Sequence, residues 1–467
     1  MKDLRKNLKH MFWFLTALFV ALGGYFVYVA AFEGESFIAN PFNARVAVGD
    51  DSIRRGAIYD AHGTAIAHSV DIDGQYIRQY PFGTAFAHTV GYSGMSRTGL
   101  ELSRNFALYR LNWELVQRAT YVTTGQELRP NSIVTTFDAG LQQMIVDSLG
   151  ASRGAVVVLD PTTGAVLAMV STPSFDPNHI TQNWGSLIAD TYNSPLLNRA
   201  TQGLYPPGST FKVVTAVAAL NYDAGLLDFV FECTGHAHFD GETIQCWGGH
   251  AHGTVDMHRA MAVSCNGYFA VLADMIGAEP MRQAAEQLLF NATIDLELAS
   301  SMPLFTMGSE PAMDELIQTA IGQGRTLATP LNMALIAAAV ANGGTVMYPY
   351  MVEGTLTGFG NITNETRPRT MQQVMDAQMA ALLNEMLVEA VNTGTGTPAA
   401  LPRMQVAGKT GTAQNATGID HSWFIGYAPA QNPRVSLAII IENTGGGTRA
   451  TQLAGQIFDF AIEEDLQ

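Results

Sequence analysis

Lysine is nearly missing from this chain. Five occur in 467 residues, at Lys2, Lys6, Lys9, Lys212 and Lys409, against twenty arginines. Arginine does not shed its proton in a protein, so most of the positive charge sits on residues that cannot act as a base. Only two lysines lie beyond residue 9. Cysteine is scarcer still: Cys233, Cys246 and Cys265 are too few for a disulfide framework. Net positive charge is absent as well. The formal charge of −16 excludes a nucleic-acid surface, because phosphate binding needs a basic face. With 47% hydrophobic and 14% charged residues, an intrinsically disordered chain is also excluded. The length suffices for a large core and two globular parts. Neither a tandem repeat nor a low-complexity tract is present.

Lys2, Arg5, Lys6 and Lys9 precede an apolar stretch, Met11 to Phe32, that carries no charge and is long enough to cross a bilayer. Basic residues before it and none close after it predict residues 1–10 in the cytoplasm, an anchor over 11–32 and the bulk of the chain outside. A cleaved signal peptide is the competing reading, with Ala30-Ala31 as its cut site.

Residues 33–150 form a first part without a catalytic constellation. Ala44 to Val48 alternates like a strand. Ile58-Tyr59, a turn at His62-Gly63 and Thr64 to His68 read as a hairpin, Thr98 to Leu102 opens a short helix, and Asp138 caps a helix running to Leu149. The second part, 151–467, begins with Gly154 to Leu159, a turn over 160–164, and Ala165 to Val170, a strong hairpin signal. Three further strands are expected near the other end, at Met404 to Ala413, His421 to Tyr427 and Arg434 to Glu442. Between the two sets the period is helical, as in Leu331 to Val340 and Met379 to Val391, and Thr448 to Glu463 closes the chain as a helix. The class is α+β: one antiparallel sheet wrapped by helices.

The two remaining lysines fall in chemically suggestive places. In Tyr205-Pro206-Pro207-Gly208-Ser209-Thr210-Phe211-Lys212 a stiff turn runs into an apolar helix. Ser209 and Lys212 are three apart and share a face. A hydroxyl beside an amine at a helix start suits covalent catalysis, with the amine as base and the helix end favouring negative charge. The bland alternative is a cap and a solvated lysine. Downstream, Ser264 and Asn266 offer a hydroxyl and an amide two residues apart. Lys409, Thr410, Gly411 and Thr412 lie in a predicted strand, where the lysine and threonines can hold an anion and Gly411 lets a ligand backbone approach. Each is weak alone; S-x-x-K, S-x-N and K-T-G in this order form a specific set.

On these motifs the chain resembles the penicillin-binding protein and serine β-lactamase superfamily. It is most similar to the class B penicillin-binding proteins, monofunctional peptidoglycan transpeptidases with a small pedestal. Asn198-Arg199-Ala200 through Lys212, Ile321-Gly322-Gln323-Gly324 with Thr329-Pro330, and Trp423 to Tyr427 resemble the catalytic domain. Arg55-Gly56, Ile58-Tyr59-Asp60 and Gly99-Leu100-Glu101 resemble the pedestal, although Ala61-His62 departs from its usual motif. The resemblance implies a transpeptidase domain behind an anchor and pedestal, with roles for individual residues. Ser209 would attack a D-alanyl-D-alanine carbonyl, Lys212 would take its proton and Ser264 would relay a proton to the leaving amine. Asn266 would bind the stem-peptide backbone, and Lys409, Thr410 and Thr412 would hold its terminal carboxylate. Backbone N–H groups of Ser209 and Thr412 would form the oxyanion hole. Peptidoglycan stem peptides are the implied substrate and β-lactams the covalent inhibitors. No cofactor is required for the chemistry. A glycan polymerase of the SEDS family is the implied membrane partner, since no polymerase domain is expected in the chain. A D,D-carboxypeptidase, a serine β-lactamase or β-lactam sensor, and a non-catalytic cell-wall scaffold are the competing functions.

The cysteines remain. Cys265 lies inside S-x-N, and residues 231–253 read as a glycine- and histidine-rich loop with weak strands. A Cys233–Cys246 disulfide is one reading and three reduced thiols another. The third is a structural zinc site of Cys233, Cys246, His252 and Cys265, a closed set of three thiolates and one imidazole. Some class B relatives are similar in this segment at His252-Gly253 and Cys265.

Overall fold

The computed structural model describes residues 2–29, 54–94, 96–109, 130–358 and 360–464. The strand expected at Ala44 to Val48 lies outside them. The first element is the helix Lys2–Tyr28. Its apolar stretch from Lys6 to Tyr28 is long enough to span a membrane, and none of it is buried against the protein.

The first part contributes four strands to a six-stranded sheet. Its strands run Ile362–Thr363, Val352–Leu356, Ser132–Thr135, Ile58–Tyr59, Ala65–Ile72 and Gln75–Gln79. Two of the six therefore come from residues 352–363, far along the chain: Val352–Leu356 pairs antiparallel onto Ser132–Thr135, and Ile362–Thr363 pairs antiparallel onto Val352–Leu356. A sequence pattern cannot announce such a pairing, because each partner is short and carries no mark of its neighbour. Glu101 is fully buried here, between Arg55 and Arg78, each at 2.7 Å. Burial alone would push its carboxyl up, but the two guanidinium groups outweigh this and hold it below the usual range.

The second part is built on a five-stranded, wholly antiparallel sheet in the order Ala407–Ala413, His421–Ala428, Val435–Ile441, Gly154–Leu159, Val166–Thr172. Chain ends thus meet in the middle: Ile440 lies opposite Ala155 and Ile439 opposite Val156. These strands read as near-continuous apolar runs because both faces are covered. Val157, Ala438 and Ile440 belong to the core that includes Leu331, Leu335 and Ile336 of the buried helix Pro330–Ala341. Val156, Val158, Leu437 and Ile439 belong to the core with Leu141 and Ile145 of Ala139–Leu149 and with Ile457 and Phe458 of Thr448–Glu464. Caps set the helix starts as the sequence suggests. Asp138 accepts from Leu141 N at 2.8 Å, and Thr329 accepts from Asn332 N at 3.1 Å with Pro330 in the first turn. Ala407–Ala413 is left as an edge strand, and the candidate site lies along it.

Candidate active site

Ser209 sits in a 3-10 turn, Gly208–Phe211, that leads directly into the helix Lys212–Tyr222. The turn is pressed against the edge strand. Gly208 has a φ of +54°, and a Cβ there would lie 2.5 Å from the carbonyl oxygen of Thr412. Gly322 is as close on the other side: it accepts a hydrogen bond from Gly208 N at 2.8 Å, and a Cβ on it would strike Gly208 O. Only glycine fits both positions. Trp423 Nε1 donates to Pro206 O at 3.0 Å, and Tyr205 donates its hydroxyl to Glu442 at 2.9 Å. Glu442 is itself bound by Arg199 at 2.8 Å and Arg153 at 2.6 Å. The segment that carries the serine is therefore fixed from both ends, and Ser209 is left half-exposed to the cleft.

Lys212 and Lys409 are both fully buried and reach the same hydroxyl. Lys212 Nζ lies 3.1 Å from Ser264 Oγ, and Lys409 Nζ lies 2.9 Å from it. Lys212 also donates to Ser264 O at 2.8 Å and to Asn266 Oδ1 at 2.7 Å, and Lys409 donates to Thr410 O at 3.1 Å. Burial lowers Lys212 to about 8, partly offset by negative charge on the sulfurs of Cys265 and Cys246. Lys409 is driven well below the ordinary lysine range, by burial first and by the charge of Lys212 second. Two ammonium groups sharing one buried hydroxyl repel, so the resting pair favours one proton fewer.

Ser264 owes its place to a helix end. The helix Met257–Ala262 terminates with Ser264 N donating to Met261 O at 3.3 Å and Cys265 N donating to Ala260 O at 2.9 Å. This is a Schellman ending, with serine in the left-handed position usually given to glycine, at a φ of +57°. Such a backbone costs on the order of 1–3 kcal/mol, and it aims the hydroxyl at the lysines. Cys265 then caps the next helix, Asn266–Ile276.

Of the substrate-binding candidates, Asn266 and Thr412 are half-exposed, while Thr410 is mostly buried. The Thr410 hydroxyl lies 2.6 Å from that of Thr395. Thr395 also donates its N–H to Ala262 O at 3.0 Å, and a Cβ on Gly394 would strike Ala262 O. The Thr393–Thr397 loop thus staples the S-x-N helix end to the K-T-G strand. No motif in the sequence marks Thr395; its one signal is the alternation of threonine and glycine from 393 to 397. Glu442 carried none, since it meets Tyr205 across 237 residues. Gly411 packs its α-carbon under Trp423, Thr210 and Pro207 O, so it also serves the fit of turn to strand.

The four metal candidates come together. Cys233, Cys246, His252 and Cys265 place their ligand atoms within 4.8 Å of one another. Cys233 Sγ and Cys246 Sγ are 3.7 Å apart, Cys246 Sγ and Cys265 Sγ 3.8 Å, and Cys233 Sγ and His252 Nδ1 3.4 Å. A tetrahedral zinc has edges of about 3.8 Å between sulfurs and about 3.5 Å between sulfur and nitrogen, given its usual bond lengths. The donor set fits that ion. It does not fit the Cys233–Cys246 disulfide: all three cysteines are free, and 3.7 Å is far beyond a bond of about 2.05 Å. The loop they tie is two short ribbons, Phe231–Cys233 with Gly253–Val255 and His236–His238 with Thr243–Gln245.

Comparison with known proteins bears on this geometry. The penicillin binding protein transpeptidase domain matches residues 154–459, and the penicillin binding protein A dimerisation domain matches residues 55–133. The peptidoglycan D,D-transpeptidase PbpA of Mycobacterium tuberculosis is 36% identical over 470 residues, covering 93% of this chain and 94% of the relative. MrdA of Acinetobacter baumannii, also a peptidoglycan D,D-transpeptidase, is 31% identical over 458 residues, covering 84% of this chain and 67% of the relative. Among solved structures, the imipenem acyl-enzyme of penicillin-binding protein A from M. tuberculosis superimposes with a TM-score of 0.80 at 33% identity, covering 89% of this chain and 99% of that one. A D,D-transpeptidase domain from Eggerthella lenta gives 0.79 at 32% identity, with coverage of 89% and 99%.

Proposed function

The chain belongs to the penicillin-binding protein transpeptidase family, and from that premise we propose how its own residues carry out the reaction. The activity is that of a peptidoglycan D,D-transpeptidase working through a serine acyl-enzyme that β-lactams also form. Ser209 Oγ attacks the carbonyl of the penultimate D-alanine of a stem peptide. A neutral Lys212 takes the hydroxyl proton as the Oγ–C bond forms. As the C–N bond breaks, the proton passes by way of Ser264 to the departing D-alanine. The amine of a second stem peptide then attacks the ester and yields the cross-link, and its proton returns through Lys212 to Ser209.

The observation that carries this reading is the single hydroxyl of Ser264 held between two buried lysines at 3.1 and 2.9 Å. A hydroxyl has one proton and two lone pairs, so it can accept from a charged Lys409 while donating to a neutral Lys212. The substrate carboxylate settles next to Lys409 and Thr412 and stabilises the charge on Lys409, which leaves the neutral state to Lys212. Thr410 supports that carboxylate site through the strand, its hydroxyl being engaged by Thr395. Asn266 keeps one N–H and one lone pair for the stem-peptide backbone. Backbone N–H groups of Ser209 and Thr412 form the oxyanion hole, a term worth about 3–4 kcal/mol where one donor has been removed elsewhere. The close packing of Gly208 on Thr412 supports this.

The apolar N-terminal helix fits a single-pass anchor. The basic residues before it support a cytoplasmic N-terminus with the catalytic domain outside. A polymerase of the SEDS family, docked through this helix and the pedestal, would make the glycan strands. Cys233, Cys246, His252 and Cys265 would hold a structural zinc that cross-links the 231–255 loop. The chemistry above does not pass through it.

The test is to label the membrane fraction with a fluorescent penicillin, map the acylated residue by mass spectrometry, and then supply lipid-linked precursor with a polymerase. Acylation at Ser209 and cross-linked dimers support the reading. Free D-alanine without dimers would transfer it to a carboxypeptidase, and no acylation at all to a scaffold.

A further inference from the structure

Among the described tryptophans beyond the N-terminal helix, Trp247 stands out. It is 69% exposed, whereas Trp423 is fully buried and Trp184 is packed against a small core. Its mounting is rigid. Cys246, the residue before it, is buried, donates its N–H to Gly235 O at 2.9 Å and accepts from Gly249 N at 2.8 Å. Gly248 and Gly249 follow at φ values of +64° and +70°, and His250 N closes the turn on Trp247 O at 3.4 Å. Two consecutive left-handed residues make the tight turn class that glycine alone adopts readily. It places Trp247 and His250 at its two corners, with ring centroids 6.1 Å apart and planes at 33°. Both rings are open to solvent, so the turn, and not burial, brings them together.

This shelf adjoins the cleft. Two residues before Trp247, Gln245 O accepts from Asn266 Nδ2 at 2.8 Å, and Asn266 in turn meets Lys212. Two residues span at most about 7 Å, so Trp247 lies close to the rim of the cleft at Asn266, well inside the reach of a short extended peptide. A saccharide joined to that peptide meets Trp247 when the peptide leaves the cleft past Asn266 and Gln245. The loop from 245 to 253 offers no other large apolar side chain. A protein interface needs about 800 Å² on each side, far more than one indole and one imidazole provide, whereas a single pyranose ring matches a flat aromatic face with polar edges.

We propose that Trp247, flanked by His250, is a subsite for one N-acetylated sugar of the glycan strand that carries the stem peptide. The proposal rests on the transpeptidase reading. The subsite would favour strand-borne over sugar-free substrates.

Two measurements on the full-length protein test it. Tetra-N-acetylchitotetraose, a sugar probe without peptide, should shift the intrinsic tryptophan fluorescence of the wild type, and Trp247→Ala should lose that response. In cross-linking assays with glycan strands, Trp247→Ala should lose roughly five- to ten-fold in kcat/KM, mostly through KM, relative to its own penicillin acylation rate, and Trp247→Phe should recover part of the loss. Equal losses in cross-linking and in penicillin acylation would make Trp247 a structural residue and overturn the subsite. So would an unchanged ratio, or a loss seen only when a polymerase partner is present. Failure of the wild type to acylate at all would instead strike the transpeptidase reading.

Discussion

The side-chain amide of Asn266 donates to the main-chain carbonyl of Gln245 at 2.8 Å. Its other end, Oδ1, takes a hydrogen bond from Lys212 at 2.7 Å. One amide thus joins the cysteine-rich loop to the buried amine beside Ser209. Cys246 follows Gln245 directly and Cys265 precedes Asn266, so both partners of this contact are held by the same four-residue cluster. A change in that cluster is felt first in how Lys212 and Asn266 are aimed.

Replacing the nucleophile is the simplest check. Ser209→Ala should abolish covalent labelling by fluorescent penicillin and leave the melting temperature close to that of the wild type, since Ser209 is half-exposed on a turn fixed by its neighbours. Labelling that persists at another residue would refute the assignment.

Lys212 should behave as a base and not as a cation. Lys212→Arg is expected to slow acylation about as severely as Lys212→Ala, by roughly 10²-fold or more, because arginine cannot accept the proton. Lys409→Arg should be milder, since a carboxylate asks only for positive charge. In the wild type the acylation rate should rise with pH and level off above about 8, where Lys212 loses its proton. A rate that falls over pH 6–9 would assign Lys212 an electrostatic part instead.

Thr395→Val removes the hydrogen bond to Thr410 while keeping the shape of the side chain. One neutral hydrogen bond contributes about 1 kcal/mol, so acylation should fall about five-fold. The loss should lie in the binding term if the K-T-G strand is what moves. Stopped-flow measurement of the acylation constant and the apparent Kd separates the two.

The cysteine cluster predicts one zinc per chain and three thiols after denaturation in chelator. Removing the metal should lower the melting temperature and the acylation rate together, and zinc should restore both. Absence of metal with three thiols would leave the cluster as a group of packed thiols. Cys265→Ser is the companion variant, expected to lose metal while keeping its cap on the Asn266–Ile276 helix.

Local signals determined much of this protein. Caps at Asp138 and Thr329, the hairpin around residues 160–164 and the closing helix were legible because each depends on neighbours in the chain. The same holds for the Ser209–Lys212 spacing, which one turn of helix converts into a shared face. The scarcity of lysine singles out Lys212 and Lys409. Tertiary structure decided what depends on distant partners. Residues 352–363 complete the pedestal sheet, Glu442 steadies Tyr205, and Thr395 stands behind Thr410, although nothing in these short segments names its partner. The S-x-N motif marks Ser264 in the sequence, and only the Schellman ending shows that its backbone is left-handed. Nor could composition choose between thiol, disulfide and metal at Cys233, Cys246 and Cys265. The sulfur separations of 3.7 and 3.8 Å, too long for a disulfide, exist only once the two ribbons of the loop have folded onto the helix that begins at Asn266.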